Sequence, residues 1–196
     1  MQPLSLDTEA RRRAVAWAVA LTTGTPLAPR YYERQLLARF ERGELTLDQI
    51  EQRLAAGVYH LLYHSRATHP PDDDQLRALL GQSRAHNAAH QITGLLLYGE
   101  GRFVQVLEGP EAAVRAVYAR IRTDPRHAQV VTVREGPGPP RRFADWHMGF
   151  GPAAGAALER VLAAIGSEQP LAGPPPDNAH LRALLQAFGA GALEAR

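Results

Sequence analysis

The chain of 196 residues contains no cysteine. That excludes disulfides, thiolate nucleophiles, iron–sulfur clusters and the usual cysteine-based zinc frameworks. Long apolar runs are missing too: the stretch Ala14 to Leu21 is far too short to span a bilayer. The opening segment, Met1-Gln2-Pro3-Leu4-Ser5-Leu6-Asp7, lacks the charged-then-apolar layout of a signal peptide. A cytoplasmic protein without membrane association is the expectation. Charge of one sign is equally scarce. The formal net charge is +2, and the pI near 9.3 reflects a small arginine surplus rather than a basic stripe, so no nucleic-acid partner is expected. Arg11-Arg12-Arg13 and Arg141-Arg142 read as solvated faces.

Catalytic and ligand-binding signatures are thin. Neither Thr93-Gly94 nor Gly99-Glu100-Gly101 is followed by the Lys-Ser/Thr of a phosphate-binding loop. His86, His90 and His127 have no carboxylate or cysteine at the spacing a metal set requires. Glu108 and Asp145 show no sign of acting as a paired acid and base. The chain does not read as an enzyme.

What is present is a dense periodic pattern. Residues 1–57 read as short helices. Ala14, Ala18 and Leu21 share one face, and Tyr32, Leu36 and Phe40 share another. Thr46-Leu47-Asp48-Gln49 resembles a capping box opening a helix that carries Ile50 and Leu54 on one side. Thr23 to Pro29 is a loop. From Tyr59 to Ser65 the chain alternates as a strand with Tyr59, Leu61, Tyr63 and Ser65 on one face. A helix follows from about Asp73 to Ala88. Strands at Gln91–Tyr98 and Arg102–Glu108 flank a hairpin signal at Gly99-Glu100-Gly101. Pro110 opens a helix with Val114, Val117, Tyr118 and Ile121 as its buried stripe, ending at Asp124-Pro125. Val130–Val133 is a short strand, Pro137 to Pro140 a loop, and Phe143–Phe150 a last strand.

This order predicts an α+β, ferredoxin-like fold: βαββαβ plus an additional strand, with N- and C-terminal helical extensions. The domain division is 1–57, a helical module; 58–150, the sheet domain; and 151–196, a helical pair. In the pair, Leu158, Val161, Leu162 and Ile165 mark one helix, and Leu181, Leu184, Leu185 and Phe188 the other. Gly173-Pro174-Pro175-Pro176 separates them, and Asp177 could cap the second.

Polar side chains on inward faces are the informative feature. Leu76 and Leu80 define a buried stripe that continues to Ser83 and Asn87; Gln105 lies between Phe103 and Leu107 on one strand face. Each could be satisfied by backbone or buried water. Together they suggest a pocket for a flat ligand with several donors and acceptors, because an unpartnered buried amide costs about 1–3 kcal/mol.

At these residues the sequence resembles the BLUF family, blue-light sensors that use FAD. The resemblance runs from about Tyr59 to Phe150 in five segments. They are His60 to Ser65; Ser83 to Asn87 followed by Gln91 to Tyr98; Phe103 to Gly109; Asp124 to His127; and Arg141 to Met148. It implies a flavin ring lying between the two helices. It matches Tyr63 to the tyrosine that gives an electron and a proton to the excited flavin, and Gln105 to the glutamine that then rearranges its hydrogen bonds. Asn87 matches an asparagine on the flavin's polar edge. Ser83, His86, Arg126 and His127 match positions lining the cofactor, and Trp146 and Met148 a last-strand pair linked to signal output. The expected function is a blue-light photoreceptor that signals reversibly, through a homo-oligomer interface or to a downstream protein partner. A flavin-dependent oxidoreductase and a flavin-free interaction module are the alternatives.

Overall fold

The computed structural model describes residues 7–152, 155–167 and 176–188. The chain forms two compact units, one of residues 1–57 with 136–140 and one of 58–135 with 141–196.

The first unit contains α1 (Thr8–Thr22), α2 (Tyr31–Glu41) and α3 (Leu47–Ala56). Each start has a local cause. The Ala10 N–H donates to the Asp7 carboxylate at 2.6 Å. Glu33 reaches back to the Arg30 N–H at 2.6 Å. Thr46 and Gln49 satisfy each other's backbone N–H groups at 3.2 and 2.9 Å, a reciprocal capping box. Val15, Leu36, Phe40, Leu45 and Ile50 form the core. The Ala14–Ala18–Leu21 face of α1 is exposed, and Val15 and Val19 turn inward instead. The two stripes are offset by one residue, or about 100° of helix rotation, and the branched pair fills the core better than alanine. Leu54 is partly exposed while Ile50 is buried.

In the second unit, β1 (Tyr59–Ala67), α4 (Asp73–Ala89), β2 (Thr93–Gly99), β3 (Arg102–Gly109), α5 (Glu111–Thr123), β4 (His127–Pro137) and β5 (Gly149–Pro152) are followed by α6 (Ala156–Ser167) and α7 (Ala179–Phe188). The five strands lie in the order β4-β1-β3-β2-β5. β3 runs antiparallel to both β1 and β2, and β5 runs parallel to β2. This is an α+β, ferredoxin-like arrangement with an added strand. Glu100 and Gly101, both at positive φ, make the β2–β3 turn, the geometry a two-residue hairpin favours.

Alternation assigns the two sheet faces. Leu61, Tyr63, Leu96, Phe103 and Leu107 meet Leu80 of α4 and Val114 and Tyr118 of α5 in one cluster. Leu62, Leu95, Leu97, Val104 and Val106 meet α6 and α7 in a second. Leu95-Leu96-Leu97 is an unbroken apolar run because β2 is covered on both sides.

Several boundaries differ from the sequence reading: β1 runs on to Ala67, and β2 begins at Thr93 rather than Gln91. The last strand begins at Gly149 rather than Phe143; residues before it turn, with the Trp146 N–H bonded to the Phe143 carbonyl at 2.9 Å. β4 extends from His127 to Pro137, well past Val130–Val133. Asn178, one residue after Asp177, caps α7 by accepting from the N–H groups of His180 and Leu181. The Gly173-Pro174-Pro175 part of the interhelical segment lies outside the described residues. Among the described residues no helix is long and apolar enough to cross a membrane.

Gly94 marks the tightest strand approach that bears on the site: a Cβ there would stand 2.0 Å from the Val106 carbonyl oxygen. Gly94→Ala should therefore destabilise the unit by about 1–3 kcal/mol, since backbone must move to admit the methyl. Urea unfolding of the full chain checks this, and an unchanged midpoint would contradict it.

Candidate functional site

The β1–β3 register sets Tyr63 opposite Gln105. Both side chains are buried, Tyr63 completely. The Tyr63 hydroxyl donates to Gln105 Oε1. At the other end of the same amide, Gln105 Nε2 donates to the Met148 thioether at 3.4 Å. Sulfur is a weak acceptor, so this second bond is easily exchanged for a better one. The Tyr118 ring lies 5.2 Å from that of Tyr63, and the His127 ring 6.4 Å. Burial raises the Tyr63 phenol far above its ordinary value, with the Tyr118 and Asp124 charges adding to the effect. Tyr63 is thus a neutral donor held on one end of an amide whose two ends differ in character.

Helix α4 supplies a second buried amide. Asn87 donates through Nδ2 to the His147 carbonyl at 2.6 Å, and its main-chain carbonyl, not the side-chain amide, receives the Ile92 N–H at 2.9 Å. Ser83 lies one turn earlier and is half-buried. Arg84 Nε reaches the Met148 carbonyl at 3.1 Å. His86 stacks on His90, with centroids 4.1 Å apart, and sits 3.4 Å from the Arg120 guanidinium of α5. Desolvation, then the His90 and Arg120 charges, lower its proton affinity.

His127, at the start of β4, shares a 2.7 Å hydrogen bond with the Ser65 hydroxyl, and burial lowers its proton affinity. Arg126 is turned to Asp124, with contacts of 2.6 and 2.9 Å. Met148 is 2% exposed and Trp146 44%, so the two side chains occupy opposite environments. The Trp146 indole stacks on Phe143 at 5.9 Å and covers Gly149, where a Cβ would come within 2.5 Å of it.

The structure therefore brings Tyr63, Gln105 and Met148 into one line, and Asn87 of α4 bonds to the segment before β5 that carries Met148. His127 stands beside the tyrosine, while His86 and Arg126 lie at the more exposed helix and loop positions. Sequence reasoning missed Ser65, Arg84, Tyr118 and His147 as members of this neighbourhood. Ser65 carried a signal, since its strand parity matches that of Tyr63; His147 acts through its backbone and carried none.

Flavin chemistry suits this donor set. The ring has a polar edge of alternating carbonyl and N–H groups and an apolar body. Among the described residues the Asn87 amide has one partnered N–H, and the Gln105 amide has only the thioether as acceptor. Buried amides with spare donor and acceptor capacity, beside an apolar wall of Leu80, Ile92 and Leu107, fit such a ring. Among the described residues no three His, Asp or Glu side chains are grouped to hold a metal ion.

A sequence model of the BLUF family, described as sensors of blue-light using FAD, matches residues 58–149. Photoactivated adenylate cyclase subunit beta of Euglena longa is 46% identical over 87 residues, covering 44% of this chain and 10% of that protein. The chain thus spans about a tenth of the length of the curated relatives it matches. The solved dark-state structure of BlrB, a BLUF protein, is 33% identical, with 50% of this chain and 74% of that one covered and a TM-score of 0.47. Photo-activated BlsA, 23% identical, aligns over 67% of this chain and 94% of its own with a TM-score of 0.51, a likeness of fold.

The Arg126 guanidinium holds the Asp124 carboxyl down to about 2. A depressed acid stabilises the fold above its unfolded value, near 4, and loses that contribution as pH falls towards 2. Arg126→Ala should remove about 1 kcal/mol at neutral pH, allowing for partial exposure, and flatten the loss of stability between those pH values. Denaturation midpoints across that range check the slope.

Proposed function

Residues 58–149 are a BLUF domain, a sensor of blue light that uses a flavin, and on that premise we propose that this protein is a photoreceptor whose switch is the Tyr63–Gln105 pair. When bound, the flavin supplies absorption in the blue and an excited state that takes up an electron. FAD, the flavin in the family's description, is the form we assign.

The observation that carries the reading is the Tyr63–Gln105–Met148 line. Tyr63 is the electron and proton donor. A neutral phenol is a poor acid, with an ordinary pKa near 10, but becomes a strong one on losing an electron. Its proton then leaves along the bond already made to Gln105 Oε1, following the electron to the bound flavin. Gln105 turns its amide, giving up the thioether of Met148 and presenting Nε2 to the tyrosine oxygen. When electron and proton return to Tyr63, the turned amide remains as the stored signal. No covalent bond is made, so the state relaxes in darkness. Asn87 orients the cofactor's polar edge; Ser83, His86, Arg126 and His127 line its site.

The output element is the segment carrying Trp146 and Met148. Met148 loses its partner when the amide turns, and Trp146 stands outside at the surface. The relatives' name, photoactivated adenylate cyclase, joins sensing to a catalytic activity in those proteins. For this chain we propose a sensor without catalysis of its own, in which residues 58–150 sense light and the signal passes to a second copy or a downstream protein. Residues 1–57 would be the partner-binding or regulatory module, with 151–196 as a separate helical pair.

Blue illumination of the full chain should shift its flavin absorption to the red. Gln105→Leu and Tyr63→Phe should each abolish the shift while leaving flavin bound. A Gln105→Leu protein with the full shift would contradict the proposed switch.

A further inference from the structure

Glu108 is the one buried carboxylate among the described residues, with no exposed surface. It lies three residues beyond Gln105 on β3, so alternation turns it to the opposite face, with Val104 and Val106. Its carboxylate accepts the backbone N–H of Arg142 through both oxygens at 3.1 Å and that of Phe143 at 3.0 Å. The Thr93 hydroxyl lies 3.5 Å away and His60 Nδ1 3.4 Å. Arg141 closes the clasp from outside, donating to Thr93 Oγ1 at 2.8 Å, the Glu108 carbonyl at 2.7 Å and the Gln91 carbonyl at 2.5 Å. Burying a carboxylate is expensive, and charge-assisted bonds from two successive backbone amides are among the stronger compensations available.

The gripped residues begin a strap that crosses from one side of the sheet to the other. Phe143 packs in the cluster with α6 and α7, whereas Met148, five residues later, packs in the cluster with Tyr63. Between them the Trp146 carbonyl accepts the Gly94 N–H at 2.9 Å and the His147 carbonyl accepts from Asn87. The strap is fixed at its start by Glu108 and held at its end by the Arg84 bond to the Met148 carbonyl and the thioether contact to Gln105. A strap of six residues, Phe143 to Met148, has little slack, so the start constrains where the end can sit.

We infer that Glu108 is a positioning residue of the light response: its grip on Arg142 and Phe143 sets the register in which the strap holds Met148 against Gln105 and leaves Trp146 outside. The inference rests on the photoreceptor reading for its kinetic consequence, and on geometry alone for its consequence in darkness.

The test compares the full-length protein with Glu108→Gln, in a Trp17→Phe background where Trp146 is the sole tryptophan. The isosteric amide keeps the volume but replaces one acceptor oxygen with a donor. The expected result is a light-induced shift of normal size, since Tyr63 and Gln105 are untouched. Dark recovery should change by about fivefold or more, and acrylamide quenching of Trp146 in darkness should change clearly, the scale set by losing one charge-assisted hydrogen bond. Recovery and quenching both within about twofold of the parent, with only the melting temperature lowered, would overturn the inference, because a merely structural acid affects stability alone. If Glu108→Gln does not fold, Arg141→Lys loosens the same clasp from its rim, and the same two readouts decide in the same way. A parent protein without any light-induced shift would remove the photoreceptor reading. The dark quenching comparison would then decide the clasp by itself.

Discussion

A slip of one residue between β1 and β3 would carry Tyr63 to the far side of the sheet and dismantle the site. Register is strict here because both faces are buried at the site: Tyr59, Leu61 and Tyr63 of β1 fill one core and Leu62 the other. The pairing of Tyr63 with Gln105 is thus enforced by the hydrophobic cost of every alternative pairing along the two strands. The fold contributes the precision, and the polar pair contributes the chemistry. Neither phenol nor amide is charged, so both can be buried without the desolvation penalty that ions carry. An amide is suited to switching because its two ends offer opposite hydrogen-bonding roles within one shape.

Met148 gives that switch a reader. A thioether holds the amide N–H weakly enough to be released and still fills the core when it is not bonded. The strap that bears it runs from a carboxylate-gripped start on one sheet face to the site on the other. Trp146, two residues from Met148, faces outward on the same strap. A hydrogen-bond change at Gln105 is therefore one covalent segment away from the surface.

Much of this was legible in the sequence. Alternation in Tyr59 to Ser65 and in Phe103 to Leu107, the hairpin glycine Gly101 and the capping box at Thr46 each follow from local rules, and the structure keeps them. Local rules mislead where a tertiary partner decides. Phe143 to Met148 has strand-like composition, but Glu108 and Gly94 draw its backbone amides and carbonyls out of any ladder. On α1 the alanine stripe and the valine stripe are neighbours, and only packing against α2 chooses between them. The sequence marked Glu108 only as a carboxylate with no sign of a paired acid and base. Its parity with Val104 and Val106 was the available sign that it points inward. No periodicity names the isoalloxazine ring; that came from five ordered segments resembling a known family, and the match over residues 58–149 supports it.

The central claim is that light acts through a flavin held beside Tyr63 and Gln105. The most direct measurement is the visible absorption spectrum of the purified full-length protein, taken in darkness and immediately after a blue pulse. The account predicts a yellow protein whose flavin bands move slightly to the red and return in the dark. A colourless protein, or a yellow one whose spectrum ignores the pulse, would contradict it.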